Sequence, residues 1–152
     1  GALQAEAACL MFERGSHEIW ASAARLLTAR CLARTDVSSA DRLAARVESF
    51  ARERAILSLQ VNALTLRGLL AHDMSKLDEA GQLASRIGSP WILASIAHVR
   101  YRVFGGRRDE KAAAAEHKSF LFHMSIVSSE LDQTARARVL AAAERNEHPF
   151  LI

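Results

Sequence analysis

A helical hairpin is clearest at residues 56–92, which read ILSLQVNALTLRGLLAHDMSKLDEAGQLASRIGSPWI. Its first half carries apolar residues at spacings of 3, 4, 3 and 4, namely Ile56, Leu59, Ala63, Leu66 and Leu70. This spacing places the five side chains on one face of an α-helix, because the helix completes a turn every 3.6 residues. The pattern predicts an amphipathic helix that ends near His72.

The second half of this stretch contains helix start and stop signals. Ser75 with Asp78 three residues later has the form of a capping box, in which a side-chain oxygen accepts a hydrogen bond from a first-turn amide. Gly88 stands where a left-handed residue closes a helix. Pro90 then fits the first position of the next helix, after Ser89 as its N-cap, because a missing amide costs nothing there. We therefore predict two helices that meet at this point.

Similar signals separate three helices on the N-terminal side. A first apolar stretch ends at Gly15–Ser16 and includes Leu3, Ala7, Leu10 and Met11. A second helix runs from about His17 to Arg34, with the apolar stripe Trp20, Ala24, Leu27 and Cys31. Ser38 with Asp41 again has the form of a capping box, and the helix that it opens has the stripe Leu43, Val47 and Phe50. We place its end at Arg54, because one helix of about 35 residues would be unusual in this class.

The C-terminal side is divided in the same way. The helix that begins at Pro90 is predicted to end at Gly105–Gly106, and a seventh runs from about Arg108 to Val127. Ser129 with Asp132 is a third pair of capping-box form. It opens an eighth helix, which we expect to end before Pro149.

Internal repetition indicates the fold. Helices that begin near Trp20, Ile56 and Trp91 are about 35 residues apart, which is typical of helical hairpin repeats. Only 7 glycines, 2 prolines and 6% aromatic residues are present, which excludes an all-β fold. We predict an all-α right-handed superhelix of antiparallel hairpins with about eight helices. One repeat domain would span 1–152, with a partial repeat at 1–15, hairpins at 17–54, 56–88 and 90–128, and a capping helix at 129–146. Trp20 and Trp91, which open successive repeat helices, are assigned to the core between hairpins.

The hairpin at 56–88 resembles the tetratricopeptide repeat. The resemblance rests on a large residue, small residues where helices touch, and a closing proline, at Leu64, Gly68, Ala71, Ala80 and Pro90. The phrase RIGSPWILA at 86–94, followed by a helix and Gly105–Gly106, resembles repeats of bacterial signal-transduction ATPases and maltose-regulator-type transcription activators. The pattern lacks the usual tyrosine and has Glu110 where alanine is expected. The resemblance implies a helical repeat region of a larger bacterial regulator whose role is recognition.

Charge, cysteine content and hydropathy exclude several classes of function. The net charge of +3 and pI near 9.3 reflect 20 basic and 17 acidic residues spread over the chain, so we do not expect nucleic acid as a partner. No apolar run approaches the roughly 18 residues that span a bilayer, so no membrane partner is expected either. Cys9 and Cys31 form no CxxC, which favours a reducing, cytoplasmic setting. Because the chain starts at Gly1 without an initiator methionine, we expect a fragment of a larger protein.

No catalytic or metal-binding pattern is complete. His17–Glu18 begins like HExxH, but Ala21 stands where the second histidine is needed. His117 and His123 are six residues apart, which puts them on different helix faces. His72–Asp73 has no nucleophile elbow to serve, so we assign His72 to a helix end. Gly105–Gly106 followed by two arginines lacks the P-loop frame and is interpreted as a turn. We predict no enzyme activity, no metal and no cofactor.

Three hypotheses for function follow from this fold. The first is a non-enzymatic scaffold that binds a protein or peptide along its concave face. Its contact candidates are polar residues on the predicted first helices of each pair, namely Arg25, Asn62, Arg67, His98 and Arg102. A small basic patch for an acidic partner adds Arg100, Arg107 and Arg108 to Arg102. The second hypothesis is a sensor that encloses a small effector between Trp91 and Tyr101. The third is a spacer or self-association element.

Overall fold

The computed structural model describes residues 1–14, 17–129 and 131–144, and within them every regular element is helical. In chain order the helices are α1 (Ala2–Arg14), α2 (Glu18–Leu32), α3 (Val37–Glu53), α4 (Leu57–Ala71), α5 (Met74–Ile87), α6 (Pro90–Gly106), α7 (Glu110–Val127) and α8 (Gln133–Glu144). The prediction of an all-α fold with about eight helices is confirmed for these residues, and so is the helix end at Arg54. No helix in these ranges combines the length and the apolar character needed to cross a bilayer. The predicted stops at Gly15–Ser16 and Pro149 lie outside the described residues.

The chain divides into two compact units, Gly1–Leu83 and Ala84–Ile152. In the first unit α2 packs against both α1 and α3, and α3 packs against α4. In the second unit α6 packs against α7, which also contacts α8. The superhelical path and the single repeat domain over 1–152 stay predictions.

The core of the first unit is built from small and branched residues of α2, α3 and α4. Its members are Leu26, Ala29, Ala44, Val47, Ala51, Leu59, Ala63 and Leu66. Alanines at these positions let the helix axes approach closely. Ile56 and Leu70 pack against this cluster, so the whole stripe predicted for α4 faces the core as expected.

The predicted close contact at Gly68 is also present. A Cβ atom at Gly68 would lie 2.7 Å from the Leu77 side chain on α5, closer than two carbon atoms approach. Leu77 is fully buried and has no space to move aside. Glycine at 68 is therefore a packing requirement where α4 meets α5.

A chain of ion pairs joins α3, α4 and α5. Glu48 is only 8% exposed and receives Arg67 Nη1 at 2.8 Å and Arg52 Nη2 at 2.9 Å. Arg67 also donates from Nε to Asp41 at 2.9 Å, and Arg52 reaches Glu79 at 3.0 Å. The buried carboxylate is thus satisfied by two guanidinium groups, as a buried charge requires.

A smaller core holds the second unit together. Phe120 and Met124 of α7 contact Ala94 and Ala97 of α6, and Ala143 of α8 completes the cluster. Phe120 is fully buried, with alanines facing it from two helices. The large aromatic of α7 therefore fills the space that the small residues leave.

Three helices end on a non-glycine residue in the left-handed region. Ala55, His72 and Arg108 have φ of 54°, 52° and 58°. In each case the next amide donates to a carbonyl five residues earlier: Ile56 N to Ala51 O at 2.8 Å, Asp73 N to Gly68 O at 2.9 Å, and Asp109 N to Phe104 O at 3.1 Å. This is the hydrogen bond of a Schellman ending, in which glycine is the usual left-handed residue.

Two of the predicted helix ends can be compared with these conformations. Gly88 has φ of +71°, as expected for a left-handed stop before the Ser89–Pro90 start of α6. The predicted end at Gly105–Gly106 is confirmed as well, since α6 ends at Gly106. Both glycines belong to its last turn, and Arg108 supplies the left-handed residue that follows it.

The helix starts also correct the sequence analysis. The caps are aspartates rather than the predicted serines: Asp36 accepts from Ser39 N, Asp73 from Ser75 N, and Asp132 from Thr134 N and Ala135 N. A carboxylate two or three residues before the first free amides has the reach to accept from them, whichever serine follows. Hydrogen bonds also lower the pKa of two of these carboxyl groups. The amide of Ser39 lowers the pKa of Asp36, and the side chain of Lys76 lowers that of Asp73.

Neither tryptophan lies in a core, contrary to the prediction. Trp20 is 62% exposed near the start of α2, and Trp91 is 40% exposed near the start of α6. In α2 the core-facing positions belong to Leu26 and Ala29, which follow a different face of the helix. The predicted stripe of α2 therefore lies on the face turned toward α1. On that face Ala24 is buried, whereas Trp20, Leu27 and Cys31 are exposed.

Candidate functional site

A groove runs between α1 and α3 with α2 as its floor. Its central part has a volume of about 290 Å³ and is lined by Glu13 of α1, Phe50 of α3, and Glu18, Ala21, Ser22 and Arg25 of α2. Two adjoining clefts also include Phe50, one of about 490 Å³ at the start of α2 and one of about 460 Å³ along α3. Because all three share this ring, we call them together the Phe50 groove.

One end of the Phe50 groove is apolar. It is lined by Ile19, Trp20, Phe50 and Ile56 together with His17, Glu18 and Arg54. Trp20 and Ile19 are 62% and 54% exposed, and the Trp20 ring lies 6.3 Å from that of Phe12 between centroids. Large apolar side chains that stay accessible in a concave surface are typical of binding sites.

Ion pairs fix the polar walls around this end. Arg54 Nη2 contacts Glu18 Oε2 at 2.9 Å, and the Arg54 guanidinium lies 5.7 Å from the centre of the Phe50 ring. In the floor, Arg25 pairs with Glu13 and donates to Ser22 Oγ at 3.4 Å. The hydrogen bond from Arg25 lowers the pKa of Glu13, so this carboxyl group stays ionised and neutralised at neutral pH.

The other end of the groove is basic. Arg42, Arg46 and Ser49 are exposed along α3, beside the half-buried Ala45 and Phe50 and the exposed Glu53. Arg42 donates to Ser39 Oγ at 3.2 Å, and its charge adds to the hydrogen bonds from Ser39 in lowering the pKa of Asp36. Arg46 lies one turn further along α3, and its charge adds to that of Arg25 in lowering the pKa of Glu13.

The predicted contact residues are distributed over both units. Arg25 lies in the floor of the Phe50 groove, whereas Asn62 accepts from Arg30 Nη2 at 3.3 Å and Arg67 holds Asp41 and Glu48. His98 and Arg102 belong to α6 of the second unit.

The predicted basic patch is partly neutralised. Arg100 lies 3.6 Å from Glu116, and Arg107 and Arg108 form the turn after α6. Within that turn both residues are exposed, as is Arg102.

A histidine and aromatic cluster occupies the interface between α6 and α7. The buried His98 lies 5.3 Å from Phe120 and 6.2 Å from Tyr101, and the Tyr101 ring lies 5.2 Å from His117, all between centroids. His123, further along α7, has its pKa lowered by burial. In the part of the chain that the structure describes, no three His, Cys, Asp or Glu side chains gather as a metal site would require.

The effector site suggested between Trp91 and Tyr101 is stretched along one helix. Both residues belong to α6, ten positions apart, which corresponds to about 15 Å along its axis. A molecule in contact with both would have to span that length. Tyr101 is engaged with the rings of His98 and His117.

Sequence analysis missed the groove because Phe50 has two roles. One side of its ring packs on the core of the first unit, as predicted, and the other lines the groove. A signal was present in α3, where Arg42, Arg46, Ser49 and Glu53 recur at helical spacing beside Phe50. Charged residues next to a large aromatic on one face indicate an accessible edge rather than a closed core.

Comparison with protein-family models, curated proteins and solved structures finds no match to this chain.

Proposed function

We propose that the chain is a non-enzymatic helical module that binds a peptide or protein segment in the Phe50 groove. The observation that carries the proposal is Trp20, a large amphipathic side chain that is 62% exposed at the apolar end of a concave surface. Exposed aromatics of this kind dominate the free energy of binding at protein interfaces. The ion pairs of Arg25 and Arg54 hold the walls in place, so little ordering free energy is lost when a partner binds.

The wider setting belongs to the same proposal. The hairpins continue as a right-handed, tetratricopeptide-like superhelix within a larger cytoplasmic regulator of bacterial type, for which the module supplies recognition. Repeats of this kind expose long concave surfaces for other proteins. A protein or peptide suits the groove better than nucleic acid, because two of its four arginines are already paired with carboxylates.

The two tryptophans provide a direct test. In the variant Trp91→Phe the only indole reporter is Trp20, and in Trp20→Phe it is Trp91. Random peptides displayed on phage are selected on the immobilised chain, and the enriched peptides are then titrated against both variants. We expect them to shift the fluorescence of Trp20 toward the blue and to leave that of Trp91 unchanged.

Two results would contradict the proposal. One is that no peptide is enriched above a surface coated with an unrelated helical protein. The other is that the enriched peptides bind a Trp20→Ser variant as tightly as the unchanged chain. The exposed position of Trp20 means that this variant keeps the fold, which its helical circular dichroism verifies.

Self-association is a second candidate, favoured by α1. Leu3, Ala7, Leu10 and Met11 are all exposed on its outer face, and the stripe that they form is apolar along its length. A second copy of α1 in antiparallel orientation would place the two Ala7 residues opposite each other and allow close approach. Light scattering should then show a dimer that Leu10→Glu converts to a monomer, whereas a monomer at every concentration would reject this candidate.

A further inference from the structure

The Phe50 groove is polarised along α3, and this polarity indicates the chemistry of its partner. We infer that it binds a peptide segment with an aromatic or large aliphatic side chain at one end and carboxylates at the other. The inference rests on the proposed function, since it concerns the same groove.

The apolar end accepts a side chain rather than a charged group. Trp20, Ile19 and Ile56 supply apolar surface there, and the charges beside them, Glu18 and Arg54, already neutralise each other at 2.9 Å. A charged ligand group would have to break this pair, whereas an apolar side chain covers Trp20 and removes apolar surface from water, which favours binding. The end is therefore selective for an apolar anchor.

The basic end differs in its charge balance. The acidic residues Glu13 and Glu18 are engaged by Arg25 and Arg54, which leaves Arg42 and Arg46 as the exposed positive charges. Glu53 also lines the cleft along α3, but it lies one turn beyond Phe50, on the side away from both arginines. A ligand carboxylate is thus attracted to the Arg42 side and repelled from the Glu53 side.

The spacing of these groups sets the spacing in the ligand. Arg46 and Arg42 lie one and two helical turns before Phe50, which corresponds to about 6 and 12 Å along α3. An extended peptide advances about 3.3 Å per residue. The carboxylates should therefore stand two to four residues from the apolar anchor in an extended ligand.

Three labelled peptides of equal length test the inference by fluorescence anisotropy. The first has two glutamates placed two and four residues from a phenylalanine, the second has glutamines in place of the glutamates, and the third has alanine in place of phenylalanine. Two exposed ion pairs together should make the first bind about two- to thirtyfold more tightly than the second. The third should bind more weakly than the first, because it lacks the anchor.

Two protein variants locate the charge effect. The double variant Arg42→Gln/Arg46→Gln should reduce binding of the glutamate peptide to the level of the glutamine peptide. The matched control, Arg136→Gln/Arg138→Gln, removes the same charge from exposed positions of α8 and should leave binding unchanged. Added salt should narrow the difference between the two peptides in the unchanged chain.

The outcomes separate the two proposals. If glutamate and glutamine peptides bind equally, and Trp20→Ser weakens both, the inference fails while the groove remains a peptide site. If the control variant loses as much affinity as the Arg42 and Arg46 variant, the attraction is nonspecific and the inference also fails. If neither these peptides nor any phage-selected peptide depends on Trp20, the proposed function itself is wrong.

Discussion

The pair α3–α4 and the pair α1–α2 use their apolar residues in opposite ways. In α3–α4 the stripes face each other, with Val47 and Ala51 opposite Leu59 and Ala63. In α1–α2 the side chains buried between the helices are the small Cys9, Ala21 and Ala24, with the half-buried Phe12 packed against them. Other large apolar residues of this pair point outward instead, among them Leu3 at 81% exposed and Met11 at 74%.

The difference shows how packing, rather than hydropathy, assigns the faces of a helix. The buried face of α2 contributes Leu26 and Ala29 to the core that it shares with α3 and α4. What remains for α1 is the face of Ala21 and Ala24, which allows a close approach and is covered by Ala8, Cys9 and Phe12. The outward-pointing large residues stay accessible, at a loss of about 1.5–3 kcal/mol of burial free energy each. Side chains in this position are suited to a partner.

The largest expected effect tests this contrast with the same substitution in both pairs. Leu66→Ala removes a buried side chain from the α3–α4 core and should lower the free energy of unfolding by about 3 kcal/mol. Leu10→Ala, on the exposed face of α1, should change it by less than about 0.5 kcal/mol. Urea unfolding followed by circular dichroism measures both. Similar losses at the two positions would mean that the face of α1 is covered.

Glycine substitutions come next. Gly68→Ala forces a methyl group against Leu77 and should cost about 2 kcal/mol. Gly105→Ala provides the control, because its Cβ meets nothing within 4 Å and alanine has the higher helix propensity. Thermal melts should show the first variant less stable than the unchanged chain and the second equally or more stable. A neutral Gly68→Ala would show that α4 and α5 are further apart.

Arg67→Ala should have a somewhat smaller effect, about 1.5 kcal/mol, because it removes two hydrogen bonds to carboxylates. Glu48 keeps Arg52 at 2.9 Å, so the buried charge is not abandoned. The exposed Arg136 of α8 offers the comparison, and Arg136→Ala should leave the melting temperature nearly unchanged. If Arg67→Ala instead weakened peptide binding without loss of stability, Arg67 would be a contact residue, as first predicted from the sequence.

The smallest effect concerns the turn between α3 and α4. Ala55→Gly should raise the free energy of unfolding by about 0.5–1 kcal/mol, because the left-handed φ of 54° strains any residue with a Cβ. Ala51→Gly, four residues earlier in the right-handed interior of α3, should lower it by at least about 1 kcal/mol. Chemical unfolding of the two variants should show a higher free energy of unfolding for Ala55→Gly and a lower one for Ala51→Gly. Equal destabilisation by both glycines would contradict the turn geometry.

Much of the fold followed from the sequence because helix periodicity is a local property. The stripe of α4, the small residue at Gly68 and the left-handed Gly88 each depend on a few neighbouring residues, and all three predictions are confirmed. The predicted serine caps were wrong for an equally local reason, because an aspartate and a nearby serine offer the same kind of hydrogen-bond acceptor to the first-turn amides. At Arg108 a residue other than glycine adopts the left-handed conformation, and no composition rule signals it.

The candidate site was less predictable, because it depends on which faces of three helices meet. Arg25 was nominated and does line the groove, but on a general rule about polar residues rather than on its pairing with Glu13. Trp20 was assigned to the core because the spacing of apolar residues does not show what a helix face will meet. A face turned toward alanines has the same spacing as one turned toward leucines. The basic end at Arg42 and Arg46 required knowledge of what lies opposite α3.

The short turn at Ala55 fixes the rotation of α4 about its own axis relative to α3. Only three residues separate α3 from α4, and the hydrogen bond from Ile56 to Ala51 fixes their path. One inserted residue after Ala55 would rotate α4 by about 100° about its axis relative to α3. Leu59, Ala63 and Leu66 would then turn away from the core, and Arg67 would turn away from Glu48, which would keep its pair with Arg52 on α3. The length of this turn therefore sets which face of α4 meets α3, so an insertion here should destabilise the core on which Phe50 packs.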